Sequence, residues 1–246
     1  MKSIELVTHC WARDLEQYAY HLAAKIWSLD REVGPSQDVT LCVCHSLEDP
    51  LTREVLDWFT GDVSRFRIRT IDLPPARLGR RAIGRNLAAK SSEADVVWFD
   101  DVDQMYRNGI LYRLAELQWP DGATMIFPRE IRIHKDHATG DAWTGYVKRS
   151  WRLGVSAVVE GDFVPKQYNR AIGGVQIVRG DFTREYGYLD GDEKWQRPTD
   201  GKFATCGCDL AYRRFCGSKG RIVGVDLPGV YRIRHTIAGH GRPASL

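Results

Sequence analysis

What this chain of 246 residues has little of narrows its class before any motif is read. No apolar run approaches the roughly 20 residues that a bilayer-spanning helix requires, and the first strand-like run, Ser3 to Val7, starts almost at the first residue. The expectation is a protein with neither leader nor membrane anchor, resident in the cytoplasm. Low-complexity tracts and fixed-period repeats are missing too, which disfavours disordered and solenoid architectures. Six cysteines without a Cys-x₂-Cys pair argue for reduced thiols over a disulfide framework or a zinc knuckle. On that reading Cys42 and Cys44 are small buried hydrophobes, and Cys206, Cys208 and Cys216 make a poor zinc set. The net charge is only +3 and its Lys and Arg residues are scattered. Such a distribution suits a site for phosphates better than a nucleic-acid surface.

A hydrophobic share of 43% and a charged share of 27% are ordinary for a globular chain. The length suits one domain, 1–246. Short β-branched runs alternate with helical periodicity through the first hundred residues. Ile4 to Val7 reads as a strand, Trp11 to Leu29 as a helix, Val39 to Cys44 as a strand and Leu51 to Phe59 as a helix. Phe66 to Leu73, a helix at Arg80 to Lys90 and the apolar run Val96 to Phe99 continue the alternation. Such a pattern predicts an α/β fold with a mostly parallel central sheet flanked by helices, its ligands beyond the carboxyl ends of the strands. The second half carries a helix at Gly109 to Leu117 and strands at Thr124 to Phe127, Val175 to Val178, Arg221 to Val225 and Val230 to His235. It reads as a continuation of the same sheet, so that 1–106 forms a nucleotide-sugar half and 107–246 an acceptor half.

The fourth apolar run ends in Phe99-Asp100-Asp101-Val102-Asp103. Carboxylates immediately after a buried strand need a positive partner, because an uncompensated buried charge costs several kcal/mol. In an extended segment Asp101 and Asp103 point to one side and could hold Mg²⁺ or Mn²⁺ between phosphates. Alone, an Asp-x-Asp spacing is as well explained by a solvated acidic turn.

These residues resemble the β-1,4-galactosyltransferase family and its bacterial relatives, inverting glycosyltransferases of the GT-A fold whose donor strand ends in an aromatic residue, one variable residue and Asp-Val-Asp. Upstream, Arg81-Ala82 and Asn86 match an Arg-Ala pair and a later Asn. Downstream, Gly173-Gly174-Val175 matches a Gly-Gly-Val strand and Arg234-His235 an Arg-His pair. A weaker block begins at Arg13. The resemblance implies metal-dependent transfer of a sugar from a nucleotide diphosphate sugar, with uridine the expected base, to a hydroxyl acceptor on a glycan or glycolipid. It places metal ligands at Asp103 and His235, with Asp101 beside them. The family's third ligand, a Met, falls on Arg232, which cannot bind a cation. Oxygen plus imidazole favours Mn²⁺ over Mg²⁺. Donor contacts are expected from Thr8, His9, Arg13, Arg81, Arg85, Asp101 and Gly174.

One family feature is absent. The general base of relatives is an Asp in a Glu-Asp-x-Asp stretch, and here that stretch reads Cys206-Gly207-Cys208-Asp209, so Gly207 stands at the base position. Asp209 is the catalytic candidate that remains, with Asp190, Asp192, Glu193 and Asp200 in the preceding loop. Retaining transfer and a catalytically silent nucleotide-sugar-binding domain stay open as alternatives. A nucleotidyltransferase ranks lowest, because Val7-Thr8-His9-Cys10-Trp11 lacks the glycines of a phosphate loop. Trp143, Tyr146, Trp151 and Trp195 are aromatic candidates for the acceptor side, and His134, Asp136 and His137 read as a solvated polar turn.

Overall fold

The computed structural model describes residues 1–12, 15–61, 65–154, 159–199 and 207–236. Its first half alternates β1 (Ile4–His9), α1 (Gln17–Glu32), β2 (Val39–His45), α2 (Pro50–Thr60), β3 (Arg67–Asp72), the short α3 (Pro75–Leu78), α4 (Arg81–Ser91) and β4 (Val96–Asp100). Then follow β5 (Gln104–Tyr106), α5 (Ile110–Glu116), β6 (Ala123–Pro128), β7 (Glu130–His134), α6 (His137–Ser150), β8 (Phe163–Gln167) and β9 (Val175–Arg179). The described chain closes with α7 (Gly180–Tyr186), α8 (Glu193–Gln196), α9 (Cys208–Lys219), β10 (Arg221–Val225) and β11 (Val230–Arg232).

Local chemistry accounts for several boundaries. Asp49 caps α2 by accepting from the Thr52 amide at 3.2 Å, and Pro50 takes the first helical position, where a missing N–H costs nothing. Asp136 likewise caps α6 through the Thr139 amide at 2.7 Å. The expected helix from Trp11 starts later, at Gln17.

Seven strands form a twisted sheet in the order β10-β6-β9-β4-β1-β2-β3. All neighbours are parallel except β9, which runs antiparallel between β4 and β6. Every residue of β1 and β4 is buried, as strands covered by helices on both faces must be. The expectation of one continuous sheet needs correcting. A second sheet of four strands, in the order β5-β11-β7-β8, gathers the residues that showed no clear period. Its strands β5 and β11 have three residues each, too few for an alternating pattern to register.

The two sheets meet where function is expected. β4 ends at Asp100, and residues 101–103 make a turn closed by the Gln104 amide donating to the Asp101 carbonyl at 3.2 Å. The segment is therefore not extended. β5 then opens the second sheet, with Gln104 paired to Arg232 of β11. The Ile233 amide donates to the Asp103 carbonyl at 2.8 Å, fastening the end of β11 to the turn. Among the described residues no helix is long and apolar enough to cross a membrane. Cys10, Cys42, Cys44 and Cys216 are free and buried, whereas Cys208 is disulfide-bonded and so departs from the reduced state that composition suggests.

Candidate donor site

The three carboxylates after β4 have three different environments. Asp100, still in the strand, is wholly buried and meets Lys25 of α1 at 2.5 Å, and the Tyr106 hydroxyl donates to the same oxygen. Burial pushes this carboxyl up, against the pull of the ammonium. Asp100 is thus a structural charge pair, and Lys25 supplies the cation that a carboxylate at this strand end demands. Its signal in the sequence is a lysine on the apolar face of α1, three residues after Leu22 and four before Leu29.

Asp101 turns towards α4. Arg81 Nη1 donates to its Oδ1 at 2.7 Å, and Arg85 Nη2 lies 3.5 Å from the same atom. Burial would raise this carboxyl, but Arg81, Arg85 and Arg232 outweigh it and hold it below its ordinary value. Arg85 is wholly buried; burial opposes its charge, while Tyr188, Asp209 and Asp101 keep the guanidinium above its usual range. It also donates to the carbonyls of Asp100 and Gly173, each at 3.3 Å. A fork with this many acceptors has one orientation.

Both glycines expected to border the donor are packed against this cluster. A Cβ on Gly174 would lie 2.2 Å from Gln104 Nε2 and 2.8 Å from Asp101 Oδ2, and one on Gly173 would lie 2.5 Å from Asp209 Oδ2. Asp209 opens α9 and accepts from Arg81 Nη2 at 3.2 Å, from the Tyr188 hydroxyl at 3.1 Å and from Arg85. Both of its oxygens are therefore occupied by donors, two of them charged.

Asp103 faces the other way, towards β11. Its Oδ2 accepts from Arg232 Nε at 3.1 Å and stands 3.9 Å from His235 Nε2, while its Oδ1 is buried without a partner. Asp103 first, then Asp101, hold the Arg232 guanidinium above its ordinary value against burial. His235 is oriented by its surroundings: Gln17 Nε2 lies 3.0 Å from Nδ1, His137 Nδ1 bonds its carbonyl at 2.9 Å, and the Tyr18 ring meets it edge-on at 5.5 Å. Gln17 and His137 thus fix the ring and the backbone of the predicted ligand. Neither carries a sequence signal, because both act through contacts more than ninety residues away in the chain.

The remaining expected residues divide. Thr8 and His9, expected just after the first strand, are its last two residues and are buried, with no partner for the Thr8 hydroxyl among the described residues. His9 Nε2 lies where a Cβ on Gly84 would approach to 2.4 Å, so α4 closes tightly over it. Arg13 and Asp200 lie outside the described residues. Asp190 is engaged by Asn86 at 2.9 Å and Lys90 at 3.3 Å, and Asp192 caps α8. Trp143 and Trp151 are core residues; Trp151 packs with Trp58 and Phe59. Tyr146 is exposed. His134 is buried and stacked on Phe163 at 4.0 Å, so it is no part of a solvated turn. Among the described residues no group of three or more His, Cys, Asp or Glu side chains is placed to hold a metal. A zinc site at the later cysteines therefore finds no support there, and Asp103 with His235 makes a pair, short of such a group.

No family model matches the sequence, and no curated protein matches it. Solved structures do match the backbone. The mannosyltransferase PcManGT from Pyrobaculum calidifontis, in complex with GDP-Man and Mn²⁺, has a TM-score of 0.57 at 11% identity, over 98% of this chain and 58% of that one. An active-site mutant of LgtC has a TM-score of 0.50 at 15% identity, over 90% of this chain and 72% of that one. LgtC with donor and acceptor sugar analogues, a galactosyltransferase, has a TM-score of 0.46 at 16% identity, over 78% and 63%. The chain spans less than two thirds of the length of the mannosyltransferase and of this last galactosyltransferase. At such identities the likeness is one of fold, and that fold is GT-A: a central, mostly parallel sheet flanked by helices.

Proposed function

We propose that this chain is a glycosyltransferase that takes a nucleotide diphosphate sugar, with uridine the first base to test, and passes the sugar to a hydroxyl acceptor on a glycan or glycolipid. One observation carries the reading. At the junction of the two sheets, beyond the carboxyl end of β4, three carboxylates and three guanidinium groups converge: Asp101, Asp103 and Asp209 with Arg81, Arg85 and Arg232. Arginine forks match phosphate oxygens two at a time, and the carboxyl ends of such strands are where open α/β sheets bind ligands.

The donor set also fits a divalent cation. Asp103 offers a buried oxygen with no partner, and His235 Nε2 lies 3.9 Å from the other oxygen. Oxygen with imidazole suits Mn²⁺ better than strictly oxygen-loving ions, so Asp103 and His235 would hold Mn²⁺, with Mg²⁺ second. When bound, the ion would stabilise the charge of the leaving diphosphate as a Lewis acid. The chain's own groups do the rest. Arg81 and Arg85, held by Asp101, Asp209 and Tyr188, present fixed positive charge to a diphosphate, so little reorganisation is needed as its charge grows. Gly174 lets the Asp101 and Gln104 side chains close against its backbone.

Asp209 is best assigned to positioning. Its two oxygens already accept from Arg81, Arg85 and Tyr188, which leaves neither of them open to an acceptor hydroxyl. The same observation favours the second reading, a nucleotide-sugar-binding domain without transfer. Thermal-shift measurements with nucleotide sugars, with and without Mn²⁺, test the binding. A ligand at 100 times its dissociation constant adds about 2.7 kcal/mol, and no shift with any nucleotide sugar would sink both readings. Slow, Mn²⁺-dependent hydrolysis of the bound sugar nucleotide, lost in Asp103→Ala, separates the enzyme from the silent domain. The anomeric configuration of the product decides between inversion and retention.

A further inference from the structure

We propose that Arg232 is an internal counter-ion that keeps Asp103 closed to a bare divalent cation, so that the cation and a nucleoside diphosphate enter this site only together. The proposal deepens the donor-site reading above and rests on it.

Asp103 Oδ2 accepts from Arg232 Nε at 3.1 Å and is also the oxygen that faces His235 Nε2, at 3.9 Å. A cation coordinated by that oxygen and that nitrogen would occupy the space on which the guanidinium closes. Like charges at this distance repel, so Arg232 opposes a bare ion at whichever Asp103 oxygen the ion takes.

Charge balance decides when an ion becomes favourable there. Among the described residues the cluster holds three carboxylates, Asp101, Asp103 and Asp209, and three guanidinium groups, Arg81, Arg85 and Arg232. Asp100 is separately neutralised by Lys25. Those six charges balance, so a bare divalent ion adds two uncompensated positive charges beside three arginines. The diphosphate brings about two negative charges in a sugar nucleotide and about three in UDP or GDP, so ion and nucleotide together add no net positive charge. A partly buried site prefers that pair to the ion alone.

The Arg232 backbone is fixed between β5 and β7. Its side chain is 37% exposed against 9% for Asp103, so of the two partners the arginine has the more room to yield to an ion. Arg85 offers no such freedom, being wholly buried among Tyr188, Asp101 and Asp209.

Mn²⁺ binding followed by electron paramagnetic resonance tests the proposal without any turnover. UDP and GDP serve as probes, and protein-free nucleotide–Mn²⁺ solutions as blanks. The wild-type protein is expected to bind Mn²⁺ at least tenfold more tightly with saturating nucleotide than without. In Arg232→Met the bare-ion affinity should rise tenfold or more and the enhancement by nucleotide should shrink, whereas Arg232→Lys should keep the discrimination. Thermal melts check that each variant is folded. Unchanged bare-ion affinity in Arg232→Met, with Mn²⁺–nucleotide binding intact, overturns the proposal. So does equal nucleotide affinity of the wild type in Mn²⁺ and in chelator, which would make Arg232 the replacement for the ion. If nucleotide binds but neither protein takes up Mn²⁺ with it, the Asp103–His235 cation reading itself has failed, and the counter-ion role falls with it.

Discussion

Asp103 Oδ2 and His235 Nε2 stand 3.9 Å apart, although one residue lies in the turn after the fourth strand and the other follows the eleventh. The Ile233 amide bound to the Asp103 carbonyl makes the approach structural, since that bond ties β11 to the turn two residues before the imidazole.

Asp103→Ala and His235→Ala should each abolish the Mn²⁺-dependent part of nucleotide binding; both side chains are buried, so thermal melts of each variant without ligand check that the fold survives. In differential scanning calorimetry the wild type should gain about 5–10 °C in Tm with saturating nucleotide and Mn²⁺, from the ~2.7 kcal/mol of ligand stabilisation and the ~2–4 °C per kcal/mol expected at this size. Retention of the full gain in Asp103→Ala would remove the site.

Lys25→Met should destabilise the chain by about 3–5 kcal/mol in urea unfolding, because it strands the Asp100 carboxylate in the core. Lys25→Met with Asp100→Asn should recover much of the loss. A double variant no better than the single one would show that the pair is not the source of the effect.

Gly174→Ala should cut donor affinity at least tenfold, since the new methyl would lie 2.2 Å from Gln104 Nε2 and 2.8 Å from Asp101 Oδ2 and must displace one of them. Calorimetric titration with a nucleotide sugar reads the change directly, and unaltered affinity would place the donor elsewhere.

Asp209→Asn separates positioning from base catalysis. Loss of the charge that orients Arg81 and Arg85 should raise KM for the donor, with a smaller fall in kcat. A general base would show the reverse, a collapse of kcat and its pH dependence with KM unchanged.

Stability should fall on acidification from about pH 6.5 towards about pH 4. Burial holds His134 down at about 4 and His21 well below its ordinary value. Both stay neutral in the folded chain, while the unfolded chain protonates below about 6.5. The unfolded state thus binds more protons in that window, and the stabilisation is full above it and lost as the pH drops. Urea melts of a His134→Phe variant across pH 4–7 should show a shallower slope, and an identical slope would remove His134 from the effect.

Much of the donor half was legible in the sequence. Ile4 to Val7, Val39 to Cys44 and Val96 to Phe99 announced themselves as apolar runs because they are central strands buried on both faces. Asp101 and Asp103 stood out because carboxylates rarely follow such a run. The second sheet did not show as a sheet. Val230 to His235 reads as a strand and contains β11, but β5 is three residues long and β8 has four exposed residues out of five, so neither length nor alternation marks them. Of the aromatic candidates Trp143 and Trp151 are core: composition cannot tell Trp151, packed on Trp58 and Phe59, from a tryptophan open to a sugar.

By itself the sequence determined the α/β class and the strand that carries the carboxylates, since these follow from local periodicity; Arg81, Arg85 and His235 were marked by the resemblance, and Arg232 was not expected as a partner of Asp103. Only tertiary structure decided how the charges pair. Asp100 goes to Lys25, Asp101 to Arg81 and Arg85, and Asp103 to Arg232, because a turn at 101–103 rotates successive carboxylates towards different elements. Which cation each one meets depends on chain segments brought in from α1, α4 and β11, and no pattern along the chain encodes that distance.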